Sequence, residues 1–206
     1  MSNNTTSMTN HQTSIKVRKM VQIAMLSAVS VILMLFEIPL FFAPSFYKID
    51  LSEVPVLIGA FAMGPIAGVI IELIKIALNL VITGSLTAGV GEFANFLIGC
   101  AFVVPSAIIY KKYRNKKSAI VGMITGTIFM TIVGGFLNAY LLLPVYATAF
   151  GMPISALVEM GSAVNHLITN LATFVLFAVV PFNLLKGVVV SLVVILIYKK
   201  ISIVLK

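Results

Sequence analysis

Charge is scarce in this chain. Only 10% of its 206 residues are Asp, Glu, Lys or Arg, where a soluble domain carries about a quarter. Tryptophan is absent and cysteine occurs once, at Cys100. A single thiol excludes an internal disulfide, and its apolar neighbours read as those of a small buried residue. The two histidines, His11 and His166, have no Cys or second His near them, so no metal site is expected. No Gly-x4-Gly-Lys-Ser/Thr loop occurs, so any ATP is handled by another polypeptide. Both arginines, Arg18 and Arg114, fall in basic clusters.

What fills the chain instead is apolar. Sixty per cent of the residues are hydrophobic and the mean hydropathy is +1.13. A single core of this size cannot hide that much apolar surface, which excludes a soluble enzyme and a disordered chain and leaves a polytopic membrane protein. The net charge of +8 first points to nucleic acid or acidic lipid. Its distribution changes that reading. Eleven of the fourteen basic residues lie in 16–19, 111–117 and 199–206. Such clusters mark cytoplasmic loops, so nucleic acid is dropped as a partner and the lipid bilayer kept.

Residues 1–15 are polar and apolar-poor and read as a disordered tail; 16–206 read as one membrane domain. The segment 20–36 lacks a signal-peptide cleavage pattern and is long enough to be a retained helix. Placing all three basic clusters on one side requires an even number of crossings between them. With breakers at Gly64-Pro65, Gly84 to Gly91, Pro144, Gly151-Met152-Pro153 and Pro181, the fit is an all-α protein. Its six transmembrane helices are 17–37, 53–63, 65–83, 89–110, 118–143 and 182–200, with both termini cytoplasmic. The stretch 163–180 is then a re-entrant or interfacial helix on the outer side. Helix 53–63 is only about 16 Å long at 1.5 Å per residue, too short to cross. The loop 38–52 is therefore expected to dip in and cover a vacancy in the outer half.

Intramembrane polar residues are costly and mark function by default. This topology puts Lys75 and Asn79, Glu92 and Asn95, Asn138, Asn183 and Lys186, and Asp50 and Glu53 at one depth in the outer half. Each taken alone has a plain structural role: an Asn bonding a neighbouring helix, or a Lys reaching the interface. Their convergence beneath an aromatic loop points to an outward-facing small-molecule pocket. Asn138, Asn183 and Lys186 suit a flat heterocycle with amide-like edges, and Asp50, Glu53 or Glu92 suit hydroxyl donors. Phe41, Phe42, Phe46 and Tyr47 suit an aromatic face. With no Arg available, a phosphate or carboxylate clamp is disfavoured, and so is a charged ligand. The spacings Ala24-x3-Ala28, Gly64-x3-Gly68 and Gly122-x3-Gly126 allow close helix approach; on the first helix, Ala24, Ala28 and Ile32 share a face free to dock a partner. Two further classes compete with a ligand-binding subunit. A membrane enzyme acting on lipid needs a cytoplasmic carboxylate or histidine cluster, and Glu72 is the lone acid near that side, in i,i+3 register with Lys75. A ligand-free structural or channel subunit leaves the polar convergence unexplained.

The stretch DLSEVPVLIGAFAMGPIAGVIIELIKIALN (50–79) resembles the substrate-binding S components of energy-coupling factor (ECF) vitamin transporters, nearest the riboflavin-specific type. GEFANFLIG (91–99), FLNAYLLLPVY (136–146) and PFNLLKG (181–187) resemble the same type, and the likeness covers about 17–200. It implies a six-helix subunit of the bacterial plasma membrane that binds riboflavin from outside, with no cofactor of its own and no enzymatic activity. Its implied partners are a membrane coupling subunit, docked through Ala24 and Ala28, and two cytoplasmic ATPases. An S component for thiamine or pantothenate is the alternative, though those ligands carry charge that this site is poorly built to pair.

Overall fold

The computed structural model describes residues 3–40, 44 and 47–201; for 3–15, 198, 199 and 201 it describes the backbone alone. Phe41, Phe42 and Phe46, expected to cover a ligand, lie outside the described residues. The chain is helical almost throughout. In order come α1 (Asn3–Met34), α2 (Glu53–Met63), α3 (Pro65–Thr83), α4 (Val90–Tyr113), α5 (Lys116–Leu137), α6 (Leu143–Ala149), α7 (Ile154–Val164), α8 (Leu171–Phe174) and α9 (Val180–Ile201). Five helical stretches are long and apolar enough to cross a membrane: Lys16–Met34, Pro65–Thr83, Val90–Tyr113, Lys116–Ala149 and Leu171–Ile197.

The expected break at Gly64 is present. Its φ of 100° is a conformation glycine adopts without a Cβ penalty, and Pro65 then opens α3, where its fixed φ suits the first helical turn. The short α2 is the centre of the bundle, packed by α1, α3, α4 and α9. Val56, Leu57 and Ala60 on it are essentially inaccessible and form one core with Ile71, Phe102, Val103, Met130 and Val190. Of the expected Gly-x3-Gly contacts, Gly122 and Gly126 let α5 lie against the α4 backbone at Phe102 and Ser106. There Ser106 Oγ donates to Gly122 O across the interface at 3.1 Å.

Several boundaries differ from those expected. The α1 backbone is helical from Asn3. The loop 38–52 contains a two-residue antiparallel ladder, β1 (Ile38–Pro39) with β2 (Lys48–Ile49), pairing Ile38 with Ile49. Pro144, expected to end its helix, and Pro181, expected to precede the last one, both lie inside continuous helical stretches, 116–149 and 171–197. A π turn precedes each, at 138–142 and at 175–179. Leu143 N–H bonds Asn138 O and Val180 N–H bonds Val175 O, each five residues back. One inserted residue widens the turn just before the ring that lacks a donor, and the helix continues past it. The stretch 171–180 is therefore the start of the last long helix and not a separate re-entrant element. That helix begins at a capping box between Asn170 and Thr173. The short interfacial-length helix is α7, at 154–164.

Candidate ligand-binding site

A cavity of about 290 Å³ opens where the C-terminal ends of α1, α3 and α5 meet the N-terminal ends of α4 and α9. Eight of the ten residues expected to bind a ligand line it: Tyr47, Asp50, Asn79, Glu92, Asn95, Asn138, Asn183 and Lys186. Its apolar wall includes Met34, Leu86, Ile98, Tyr146 and Phe182.

The two π turns set the polar wall. They touch each other; Asn138 opens the first, and Asn183 lies one turn beyond the second. Both asparagines are buried. Asn138 Nδ2 donates to Gly134 O at 2.7 Å and Asn183 Nδ2 donates to Val179 O at 2.9 Å. Each amide is thus fixed by its own helix while keeping further polar capacity. Tyr47, from the loop after α1, donates its hydroxyl to Asn138 Oδ1 at 2.7 Å. Its ring rests between Phe182 at 5.1 Å and Phe174 at 6.2 Å. Burial pushes the Tyr47 phenol well above its usual pKa, so it stays protonated and a donor.

Charge is paired within the site. Lys186 Nζ donates to Asp50 Oδ2 at 3.2 Å, and Ser52 N–H donates to Asp50 Oδ1 at 2.7 Å. Burial acts to raise the Asp50 carboxyl, but the Lys186 and Lys75 ammonium groups and the bonds from Ser52 outweigh it and hold it at about 2. On the opposite wall Glu92 stands in the first turn of α4, where a carboxylate suits the helix dipole, and accepts from Ser85 Oγ at 2.7 Å. Ser85 in turn accepts from Gly89 N–H at 2.8 Å, which organises the Gly84–Gly91 turn. At the rim an exposed pair joins Lys48 to Glu37 at 2.7 Å.

Glu53 and Lys75 are placed differently from the expectation: neither lines the cavity. Both are fully enclosed, with Lys75 Nζ 2.8 Å from Glu53 Oε1 and 2.8 Å from Glu72 Oε1. The Glu72–Lys75 register foreseen from the i,i+3 spacing is present. Room for these carboxylates comes from Gly99 on α4, where a Cβ would sit only 2.7 Å from Glu72 Cδ. This cluster ties α2 to α3 at the middle of the bundle, adjoining the Asp50–Lys186 pair. Thr87, Tyr146 and Phe182 also line the cavity and were missed by reasoning from charged and amide residues. Tyr146 and Phe182 lie inside the motifs that carry the family resemblance, which was the available signal. Ala24, Ala28 and Ile32 are exposed along one side of α1, while Ser27, Val31 and Met34 are buried on the other. Cys100 is half-buried. No cluster able to hold a metal occurs among the described residues.

The arrangement offers mixed hydrogen-bond donors and acceptors beside an aromatic wall, with its buried cation already neutralised. No arginine lines it. It can hold a flat, neutral, polar-edged molecule and lacks a bidentate anion clamp.

Comparison with known proteins places the chain in one family. The family model for the ECF transporter substrate-specific component matches residues 18–198. The riboflavin transporter RibU of Staphylococcus aureus (strain TCH60) is 38% identical over 185 residues, 90% of each chain. The riboflavin transporter FmnP of Bacillus subtilis (strain 168) is 37% identical over 188 residues, 91% of this chain and 93% of that one. A solved structure of the S component of a bacterial ECF transporter superposes with a TM-score of 0.72 at 36% identity, covering 93% of this chain and 99% of the other.

Proposed function

The chain belongs to the substrate-specific components of ECF transporters, and from that premise we propose that it binds riboflavin in the cavity between α4, α5 and α9 and serves as the capture subunit for its uptake. One observation carries the assignment: Asn138, Asn183 and Lys186 come together in one cavity under Tyr47. The two amides match the alternating donors and acceptors of the pyrimidine-like edge of a flavin. Asp50, Glu92, Asn79 and Asn95 are placed to meet ribityl hydroxyls, and Tyr47, Tyr146 and Phe182 to cover the ring.

In this reading the chain crosses the bilayer six times, counting α2 as a short crossing, with both termini and the 111–117 cluster cytoplasmic and the cavity open to the outside. The loop between α1 and α2 is the gate. It is tied to the site through Tyr47 and Asp50, so a ligand that engages Asn138 and Lys186 competes for or completes those ties and shifts the loop. The exposed Ala24/Ala28 side of α1 docks the membrane coupling subunit, and two cytoplasmic ATPases complete the transporter. A thermal-shift panel with riboflavin, thiamine and pantothenate tests the ligand, because a specific ligand stabilises the folded state. Riboflavin alone should raise the melting temperature. A rise with thiamine or pantothenate and none with riboflavin overturns the assignment.

A further inference from the structure

At the opposite end of the bundle lies a second, smaller cavity of about 130 Å³. Lys19 enters it from α1, Lys111 and Arg114 from the end of α4, and Phe61 and Gly64 from the α2–α3 turn. We propose that this cavity binds a phosphate group, that of an anionic membrane lipid of the phosphatidylglycerol class.

Three cations converge here and no carboxylate lines the cavity. None of the three takes part in an ion pair among the described residues. The described residues supply no counter-charge at this cavity, and the three exposed cations are left to an external anion. Helix dipoles do not decide the sign, because α2 ends and α3 begins at the same turn and their effects offset. Lys111 and Arg114 do complement the C-terminus of α4, but that accounts for neither Lys19 nor the shared cavity. Arg114 also caps α4 with φ 45° and ψ 44°, a left-handed conformation that glycine or asparagine normally fills. The backbone accepts that conformation at a residue whose guanidinium can clasp a phosphate. The floor is firm: Phe61 is buried and packs on Tyr110 with ring centroids 4.5 Å apart.

Position favours a lipid over a free ion. Lys19 immediately precedes the charge-free run 20–36 and Lys111 immediately follows the charge-free run 93–110, so the cavity sits at the ends of two apolar segments, the level where headgroup phosphates lie. Exposed apolar side chains flank it, with Met20 64%, Ile66 76% and Ile108 56% accessible. These neighbour the cavity residues along α1, α3 and α4 and offer a track for acyl chains. The volume admits a phosphate and excludes a nucleotide-sized ligand.

The test is native mass spectrometry of the full chain in uncharged detergent, titrated with phosphatidylglycerol, with phosphatidylcholine of the same acyl chains, and with inorganic phosphate. One phosphatidylglycerol should be retained per protein. At about 1 kcal/mol per cation near the surface, Arg114→Gln should lower its affinity roughly five-fold and Lys19→Gln/Lys111→Gln/Arg114→Gln together roughly a hundred-fold. Lys116→Gln/Lys117→Gln removes two cations of the same cluster that do not line the cavity and should lower retention far less than the triple variant does. Circular dichroism of each variant confirms that helix content is unchanged. Equal retention of the two lipids, or equal losses in the triple and the Lys116/Lys117 variants, overturns the proposal. Displacement of the lipid by equimolar inorganic phosphate overturns the lipid and assigns the cavity to free phosphate.

Discussion

At the residue scale, the buried polar groups separate into two populations that the amino-acid types alone do not distinguish. Asn138, Asn183 and Lys186 face a cavity; Lys75 pairs with Glu53 and Glu72 in an enclosed cluster in which Glu53 Oε2 and Glu72 Oε2 find no hydrogen-bond partner among the described residues. All six were conspicuous as polar residues within apolar runs, and depth along each helix was readable from topology. Which of them are consumed by mutual pairing depends on the rotation of α2 against α3, and spacing within one helix does not fix that. The two populations should respond differently to substitution. Removing one partner of a buried hydrogen bond costs about 1–3 kcal/mol, so Asn138→Ala and Asn183→Ala should each weaken flavin affinity by roughly five-fold to a hundred-fold in a fluorescence titration, with the fold retained; Lys186→Ala should weaken it too and also lower the melting temperature, because it leaves Asp50 unpaired. Lys75→Ala should instead leave two buried carboxylates uncompensated, at about 3–5 kcal/mol, and appear as a large drop in melting temperature. Asp50 adds a pH signature. Its folded pKa of about 2 lies below the ordinary carboxylate value, so its pairing stabilises fully above pH 5 and is lost as pH falls from about 4 toward 2. Thermal melts should be flat from pH 5 to 8 with respect to this group, and Asp50→Asn should remove about 2 kcal/mol of the acid-dependent loss.

At the scale of elements, helix identity followed from composition with few errors, and the errors share a cause. Gly64-Pro65 splits α2 from α3 because glycine and proline act together there, one at positive φ and the other at the first helical position. Pro144 and Pro181 read the same way in a linear scan. Each is instead absorbed by a π turn that ends two residues earlier, a device without a sequence signature of its own. Those two turns place the asparagines, so the feature least visible in the sequence is the one that shapes the site. The α1 helix is the reverse case. Its small-residue face was evident from spacing, and the structure leaves Ala24 and Ala28 exposed. Ala24→Leu and Ala28→Leu add bulk to an exposed surface. They should leave flavin affinity and melting temperature unchanged while abolishing co-purification with the coupling subunit. Normal assembly of the double variant would move the docking face elsewhere.

At the scale of the whole molecule, the few charges divide by role. The basic clusters 16–19 and 111–117 lie at one end with a small cationic cavity, and most of the remaining charged residues line or underlie the large cavity at the other. The proposed orientation is tested by labelling in a Cys100→Ala background. A thiol introduced by Lys117→Cys should react with an impermeant maleimide only in inside-out vesicles, and one introduced by Thr148→Cys only in right-side-out cells. The central claim is that the large cavity is a flavin site, and titration of riboflavin fluorescence with detergent-purified protein tests it most directly. The account predicts quenching that saturates at one riboflavin per chain and is unaffected by excess thiamine or pantothenate. A correctly folded protein that leaves riboflavin fluorescence unchanged across the titration would contradict it.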